Sequence, residues 1–212
     1  LYWASLLVIL YTYIGYGLLL AIWAKWRVRQ PTVVEAPCAV QMVTIVIPAF
    51  NEARVLGAKI RNTLELNYPA HLFEVLVITD GSTDGSEDIV RAFPQVKLIH
   101  ATQRLGKAAA INKAMAAITH PFVVITDANT LINPDSLRLM LPHYKDNQVG
   151  AVSGEKKVMV MENSGAGEQG EGLYWKYESF LKKNDAVIGT LVGAAGELLS
   201  FRRELFQPLE PD

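Results

Sequence analysis

The 212-residue chain has one cysteine, Cys38. That excludes an internal disulfide and a cysteine-rich metal cluster, and it fits a reducing compartment. An excess of positive charge is missing too. The formal net charge is −1, which leaves no electrostatic footprint for nucleic acid. No G-x-G-x-x-G follows the first strand-like run, no P-loop lysine motif occurs, and no G-x-S-x-G elbow is present. The four histidines are scattered, without zinc-ligand spacing. These gaps argue against a dehydrogenase, an NTPase and a hydrolase.

From Leu1 to Ala24 there is no charged residue at all. A helix of that length reaches roughly 36 Å, against about 30 Å of bilayer hydrocarbon. Tyr2 and Trp3 stand at one end and Trp23 and Trp26 at the other, where an aromatic belt belongs. Lys25, Arg27 and Arg29 follow, and positive-inside bias then puts the rest of the chain in the cytoplasm. A signal peptide or a buried core helix is the alternative. The span exceeds a signal h-region, however, and no A-x-A-like site follows it. The expectation is a transmembrane helix over residues 1–26 in the cell (inner) membrane. A proline-bearing linker over 27–41 and a catalytic domain over 42–212 complete the layout. The start at Leu1 and the end at "PLEPD" read as a piece of a longer protein.

Four short β-branched runs follow the linker: "MVTIVIP" (42–48), "FEVLVIT" (73–79), "VKLIH" (96–100) and "PFVVIT" (121–126). Apolar on both faces, they suit strands covered by helices on two sides. Between them Val55, Leu56, Ile60 and Leu64 form one helical stripe, and Ile111, Ala114, Met115 and Ile118 another. A further helix is predicted from "NPDSLRLMLPHY", with Asn133 as cap and Pro134 in the first turn. This alternation predicts an α/β fold with a mostly parallel sheet flanked by helices. Beyond residue 149, "VGAVSGEKKVMVM" reads as a strand or strand pair, and "ENSGAGEQGEG" as a mobile acidic loop. "LYWKYESFLKK" reads as a helix with Leu173, Tyr177, Phe180 and Leu181 on one face.

In such a sheet, ligands bind outside the carboxyl ends of the strands. Those ends are unusually polar here: Pro48-Ala49-Phe50-Asn51-Glu52, Thr79-Asp80-Gly81-Ser82 and Asp127-Ala128-Asn129. Clustered acids and amides at one edge call for a polyhydroxylated or cation-bound ligand. Asp80, Asp127 and Asn129 are open to two readings, turn residue or ligand contact. Asp84 reads as a helix cap with Glu87 as its capping-box partner. The hard oxygens of Asp127 and Asn129 suit Mg²⁺ or Mn²⁺, which take one or two carboxylates plus phosphate oxygens. Arg104 and Lys107 sit at the start of an alanine-rich helix. There they are either exposed surface cations or contacts to an anion bound at that terminus.

The strings "VTIVIPAFNEA", "VITDGSTDGS", "RLGKAAAINKAM" and "VVITDANT", in that order, resemble the family 2 glycosyltransferases of the GT-A fold. The resemblance implies inverting transfer from a nucleotide-diphospho-sugar, a UDP-sugar first, to an acceptor hydroxyl in polysaccharide or glycolipid synthesis. It places Pro48, Phe50 and Glu52 along the nucleoside pocket, Asp80 at the base, and Arg104 and Lys107 beside the nucleotide. Asp127 falls on the first aspartate of the family's D-x-D signature, with Asn129 where most members carry Asp. Gly193 and Gly196 fall on the acceptor side. The general base of the family is expected beyond Asp212. Implied partners are the sugar donor, a saccharide or lipid-linked acceptor and the lipid bilayer, with a divalent cation as cofactor. The alternatives are a nucleotidyltransferase, which would carry a glycine-rich loop where this chain has "AFNEARVL", and a non-catalytic membrane-anchored nucleotide-sugar binding module.

Overall fold

The computed structural model describes residues 1–26, 41–155, 166–189 and 196–210. In chain order the elements are α1 (Tyr2–Leu10), a π-helical turn (Tyr11–Gly15), α2 (Tyr16–Trp26), β1 (Val43–Ala49), α3 (Ala53–Leu64), β2 (Phe73–Asp80), α4 (Ser86–Arg91), β3 (Val96–Ala101), α5 (Lys107–Ala117), β4 (Phe122–Thr126), α6 (Ser136–Met140), β5 (Ala151–Ser153), α7 (Ala166–Ile188) and β6 (Leu198–Arg202). They form two compact units. Leu1–Val33 with Glu155–Ala194 make one, and Val34–Gly154 with Ala195–Asp212 the other. Residues 27–40 of the expected linker, positions 156–161 of the strand or strand pair expected over 149–161, and Gly193 lie outside the described residues.

In the larger unit the four β-branched runs are strands β1 to β4, all parallel. Strand β6 adds antiparallel to β4, and β5 antiparallel to β6. The result is a mixed six-stranded sheet of order β3-β2-β1-β4-β6-β5. Alternation along β1 splits the core into two layers. Val43, Ile45, Ile47 and Ala49 face Leu56 and Ile60 of α3, Val90 of α4 and Leu137 of α6. Val46 joins Leu76 and Ile78 against Ala110, Ile111, Ala114 and Met115 of α5. Leu56 and Ile60 are fully buried, and each such side chain contributes roughly 1.5–3 kcal/mol. These two layers hold the carboxyl ends of β1, β2 and β4 along one edge.

The antiparallel edge is locked by polar contacts. Arg202 donates to the carbonyls of Tyr144 and Val149 at 2.8 and 2.9 Å. The buried Tyr144 hydroxyl donates to Ser200 Oγ at 2.8 Å, and burial pushes its pKa up to about 12. The helix predicted from Asn133 begins later: Asp135 is its N-cap and Ser136 its first residue. Asn133 holds the preceding turn instead, Oδ1 accepting from the Asp135 N–H at 2.9 Å.

In the smaller unit, Tyr2–Trp26 is long and apolar enough to cross a membrane. Most of its surface is exposed, while Leu20 and Ala24 are buried with Ile188 of α7 and pack on Leu181. A Cβ on Gly17 would stand 3.1 Å from the Tyr177 hydroxyl, so glycine permits this close approach. Tyr177 and Leu181 thus share a face as predicted, but Phe180 is 42% exposed; the side chain of Leu173 lies outside the described residues. The acidic glycine-rich run expected as a loop is helical from Ala166 onward. Glycine's cost of about 1 kcal/mol in a helix is offset where a long helix continues beyond it.

Candidate functional site

The loop after β1 is tied to the loop after β2. Asn51 adopts φ +54°, a left-handed conformation that asparagine tolerates better than most residues. Its Oδ1 accepts from the Thr83 N–H at 2.9 Å, and its own N–H donates to Ser82 Oγ at 3.1 Å. The Glu52 N–H donates to Ser86 Oγ at 3.1 Å. Asp84 bridges two helices. Its Oδ2 accepts from the Ala53 N–H that opens α3, at 2.8 Å, and its Oδ1 from the Ser86 N–H that opens α4, at 3.0 Å. Slight burial pushes the Asp84 carboxyl up, but the bonds from Ser86 and Ala53 outweigh it and hold the pKa below its usual value. The capping-box expectation fails at Glu87, which turns to His100 Nδ1 at 2.8 Å. Gly85, at φ +85°, occupies the N-cap position of α4.

Asp80, at the end of β2, is buried, and both its oxygens are engaged. Oδ1 accepts from the Leu105 N–H at 2.9 Å and Oδ2 from the Gly106 N–H at 2.8 Å. The carboxylate therefore pins the loop that leads into α5. Gly81 makes room for that loop: at φ +68°, a Cβ there would sit 2.6 Å from the Arg104 backbone nitrogen. The Arg104 guanidinium in turn lies 3.9 Å above the centre of the Phe50 ring. Phe50, Glu52 and Pro48 are half-buried at the same edge. The structure thus brings Phe50, Asp80 and Arg104 together, with Asp80 serving the loop backbone.

Lys107 is the first residue of α5, and its Nζ stands 2.6 Å from Asp127 Oδ1. Asp127 opens a turn closed by the Thr130 N–H on the Asp127 carbonyl at 3.2 Å, and Asn129 is exposed on that turn. Directly behind lies a residue that sequence reasoning passed over. Lys59 of α3 is 1% exposed, and its ammonium donates to Thr126 Oγ1 at 2.8 Å and to the Thr130 carbonyl at 2.6 Å. Burial lowers its pKa from 10.5 to about 8, and the Asp127 charge opposes that shift. The sequence holds one sign of it. Position 59 follows Val55 by four and Leu56 by three, on the buried face of the helix, where a lysine needs a partner.

No group of three or more His, Cys, Asp or Glu that could hold a metal occurs among the described residues. One carboxylate and one carboxamide nevertheless fit a hard divalent cation that takes its other oxygens from phosphate and water. Asp127 and Asn129 would hold it. Gly196 lines a cavity of about 350 Å³ with Lys107, Ile111, Ile125, Leu199 and Phe201, so the expected acceptor-side glycine and Lys107 border the same space.

Residues 44–209 match the family model described as Glycosyl transferase family 2. The chain is 24% identical over 168 residues to poly-beta-1,6-N-acetyl-D-glucosamine synthase of Staphylococcus epidermidis, covering 77% of this chain and 40% of that protein. It is 26% identical over 153 residues to beta-monoglucosyldiacylglycerol synthase of Synechocystis sp., covering 69% of this chain and 32% of the other. It thus spans well under half the length of these curated relatives. Among solved structures, the mannosyltransferase PcManGT from Pyrobaculum calidifontis, in complex with GDP-Man and Mn²⁺, superposes with a TM-score of 0.71 at 29% identity. That superposition covers 94% of this chain and 55% of the other.

Proposed function

Because the chain belongs to glycosyl transferase family 2, we propose that it carries the donor-binding part of a membrane-anchored enzyme that transfers a sugar from a nucleotide diphosphate to an acceptor hydroxyl. The observation that carries this reading is the Lys107–Asp127 pair at 2.6 Å, at the edge where β1, β2 and β4 all end. It sets a cation beside a carboxylate at the N-terminus of α5, an arrangement that supports a diphosphate and a divalent cation there. Phe50 and Arg104 offer a stacked flat surface for the nucleoside. Asp80 acts through the backbone, fixing Leu105 and Gly106 so that Arg104 and Lys107 flank the phosphates.

In the transfer, the acceptor oxygen attacks the anomeric carbon opposite the diphosphate, and the glycosidic bond forms as the sugar–phosphate bond breaks, with inversion. Arg104 and Lys107 stabilise the charge that accumulates on the departing diphosphate. A Mg²⁺ or Mn²⁺ on Asp127 and Asn129 would add Lewis-acid stabilisation of that charge. Gly196 and the cavity it lines with Lys107 are assigned to the acceptor side; Gly193 is assigned there from the sequence alone. The acceptor is a saccharide or lipid-linked hydroxyl in polysaccharide or glycolipid synthesis. The general base is not assigned to any residue of this chain. The helix Tyr2–Trp26 anchors the protein in the cell membrane, with the donor site on the cytoplasmic side.

UDP is the nucleotide first expected; the GDP-Man bound to the similar mannosyltransferase makes GDP the second candidate. Calorimetric titration of the chain with UDP and with GDP, each with Mn²⁺, tests the reading. Saturable binding of one of them is expected. Failure of both to bind removes the donor-site assignment.

A further inference from the structure

We propose, building on the donor-site reading above, that Lys59 is a buried positioning residue for this site. From behind the Asp127–Thr130 turn it fixes the turn and shifts the site's preference from the divalent cation toward the nucleotide diphosphate.

The two hydrogen bonds of Lys59 bracket the site. Thr126 is the last residue of β4 and Thr130 closes the turn, so one ammonium clamps both ends of the segment that carries Asp127 and Asn129. An apolar side chain of similar length would fill the same space without the desolvation penalty of an ammonium. What the lysine adds is a clamp and a charge. Near neutral pH it stays largely protonated.

That charge acts at the turn. Two cations meet one carboxylate there: Lys107 Nζ stands 2.6 Å from Asp127 Oδ1, and the Asp127 charge acts on Lys59 as well. Asp80 keeps its negative charge while accepting from the backbone N–H groups of Leu105 and Gly106, and Glu52 stands at the same sheet edge, so the charge of Lys59 counts at the turn itself, against Asp127. Asn129 contributes a neutral amide. A buried cation behind the turn favours a multiply charged diphosphate in front of it and disfavours Mn²⁺. Of these two cations Lys59 is the one a ligand does not reach, because it is buried behind Thr126 and Thr130. It therefore acts through the turn and through its field.

The test uses the full chain and the Lys59→Met variant, which keeps the length and removes the charge. Mn²⁺ affinity is measured alone by electron paramagnetic resonance, and affinity for UDP or GDP, whichever the parent binds, is measured by calorimetry without metal. Both are expected to move by about 3- to 10-fold and in opposite directions, metal binding tighter and nucleotide weaker. Affinities that fall together, or neither moving, overturn the proposal, since a merely structural lysine predicts those results. Lys59→Gln, which keeps an amide donor for Thr126 and Thr130, carries the same comparison if the methionine variant does not fold. If neither variant folds, Lys59 belongs to the fold alone and the proposal is wrong. A parent that binds neither nucleotide overturns the donor site itself, a failure visible before any variant is compared.

Discussion

The Arg104 guanidinium lies 3.9 Å above the centre of the Phe50 ring, and both side chains come from loops at the carboxyl edge of the sheet. Neither loop is rigid on its own account. The β1 loop is held by Ser82, Thr83, Ser86 and Asp84, and the loop before α5 by Asp80. The contact thus joins two loops that are already fixed, and it holds the arginine at that edge.

Replacing Phe50 by leucine removes the ring and keeps the bulk. An exposed cation–π contact is worth about 0.5–1 kcal/mol, so nucleotide affinity should fall roughly 2- to 5-fold. The same contact is present in the ligand-free fold, so the thermal midpoint should fall by no more than about 4 °C. Calorimetry and a melting curve on the same sample check both halves, and unaltered nucleotide binding would take Phe50 and its contact with Arg104 out of the donor site.

Asp80→Asn should damage the fold more than the surface chemistry. Two backbone N–H groups point at the carboxylate oxygens, and an amide can accept from only one of them. A buried donor left unpaired costs about 1–3 kcal/mol, which lowers the melting temperature by roughly 2–10 °C. Gly81→Ala should act in the same direction, because its Cβ would strike the Arg104 backbone. A stable Asp80→Asn protein with normal melting would show that the loop before α5 is held by something else.

The four parallel strands were legible because β-branched runs apolar on both faces have few alternatives to a doubly covered sheet; their order in the sheet was not, since no local pattern records which strand pairs with which. Asp127 and Lys107 were legible too, since each stands where a strand ends or a helix begins. Lys59 was hidden because a lysine in a helix is ordinarily a solvent residue, and only its place on the Leu56–Ile60 face marks it otherwise. The role of Asp84 at the start of α3 depends on a contact made across the fold to Ala53, which no local pattern records. The helical start of α7 was missed for a different reason: alternating glycine reads as a loop, while the helix it belongs to is carried by the residues that follow.

Asn129→Asp should tighten Mn²⁺ binding by on the order of tenfold, about 1.4 kcal/mol, by adding a second carboxylate to the turn. The change is exposed, so folding should be unaffected. Electron paramagnetic resonance of free Mn²⁺ during titration gives the affinity directly. A variant no better than the parent would remove position 129 from the ligand set and leave Asp127 as the sole protein carboxylate on the ion.

Lys59 also makes a prediction about stability and pH. In the unfolded chain its ammonium keeps its proton up to about 10.5, but in the fold only up to about 8. Between those values the unfolded state binds more protons, so stability contributed at this position rises with pH. Below pH 8 both states are charged and the burial cost is present in full, on the order of 3 kcal/mol; as pH climbs past 8 the folded protein sheds the proton and the cost fades. Other groups titrate in this range, so the informative quantity is the difference between the parent and Lys59→Met in urea unfolding at pH 7, 8, 9 and 10. The parent should gain on the variant steadily above pH 8. A difference that stays flat from pH 7 to 10 would mean that the Lys59 ammonium is not desolvated, and that Thr126 and Thr130 hold it as comfortably as water does.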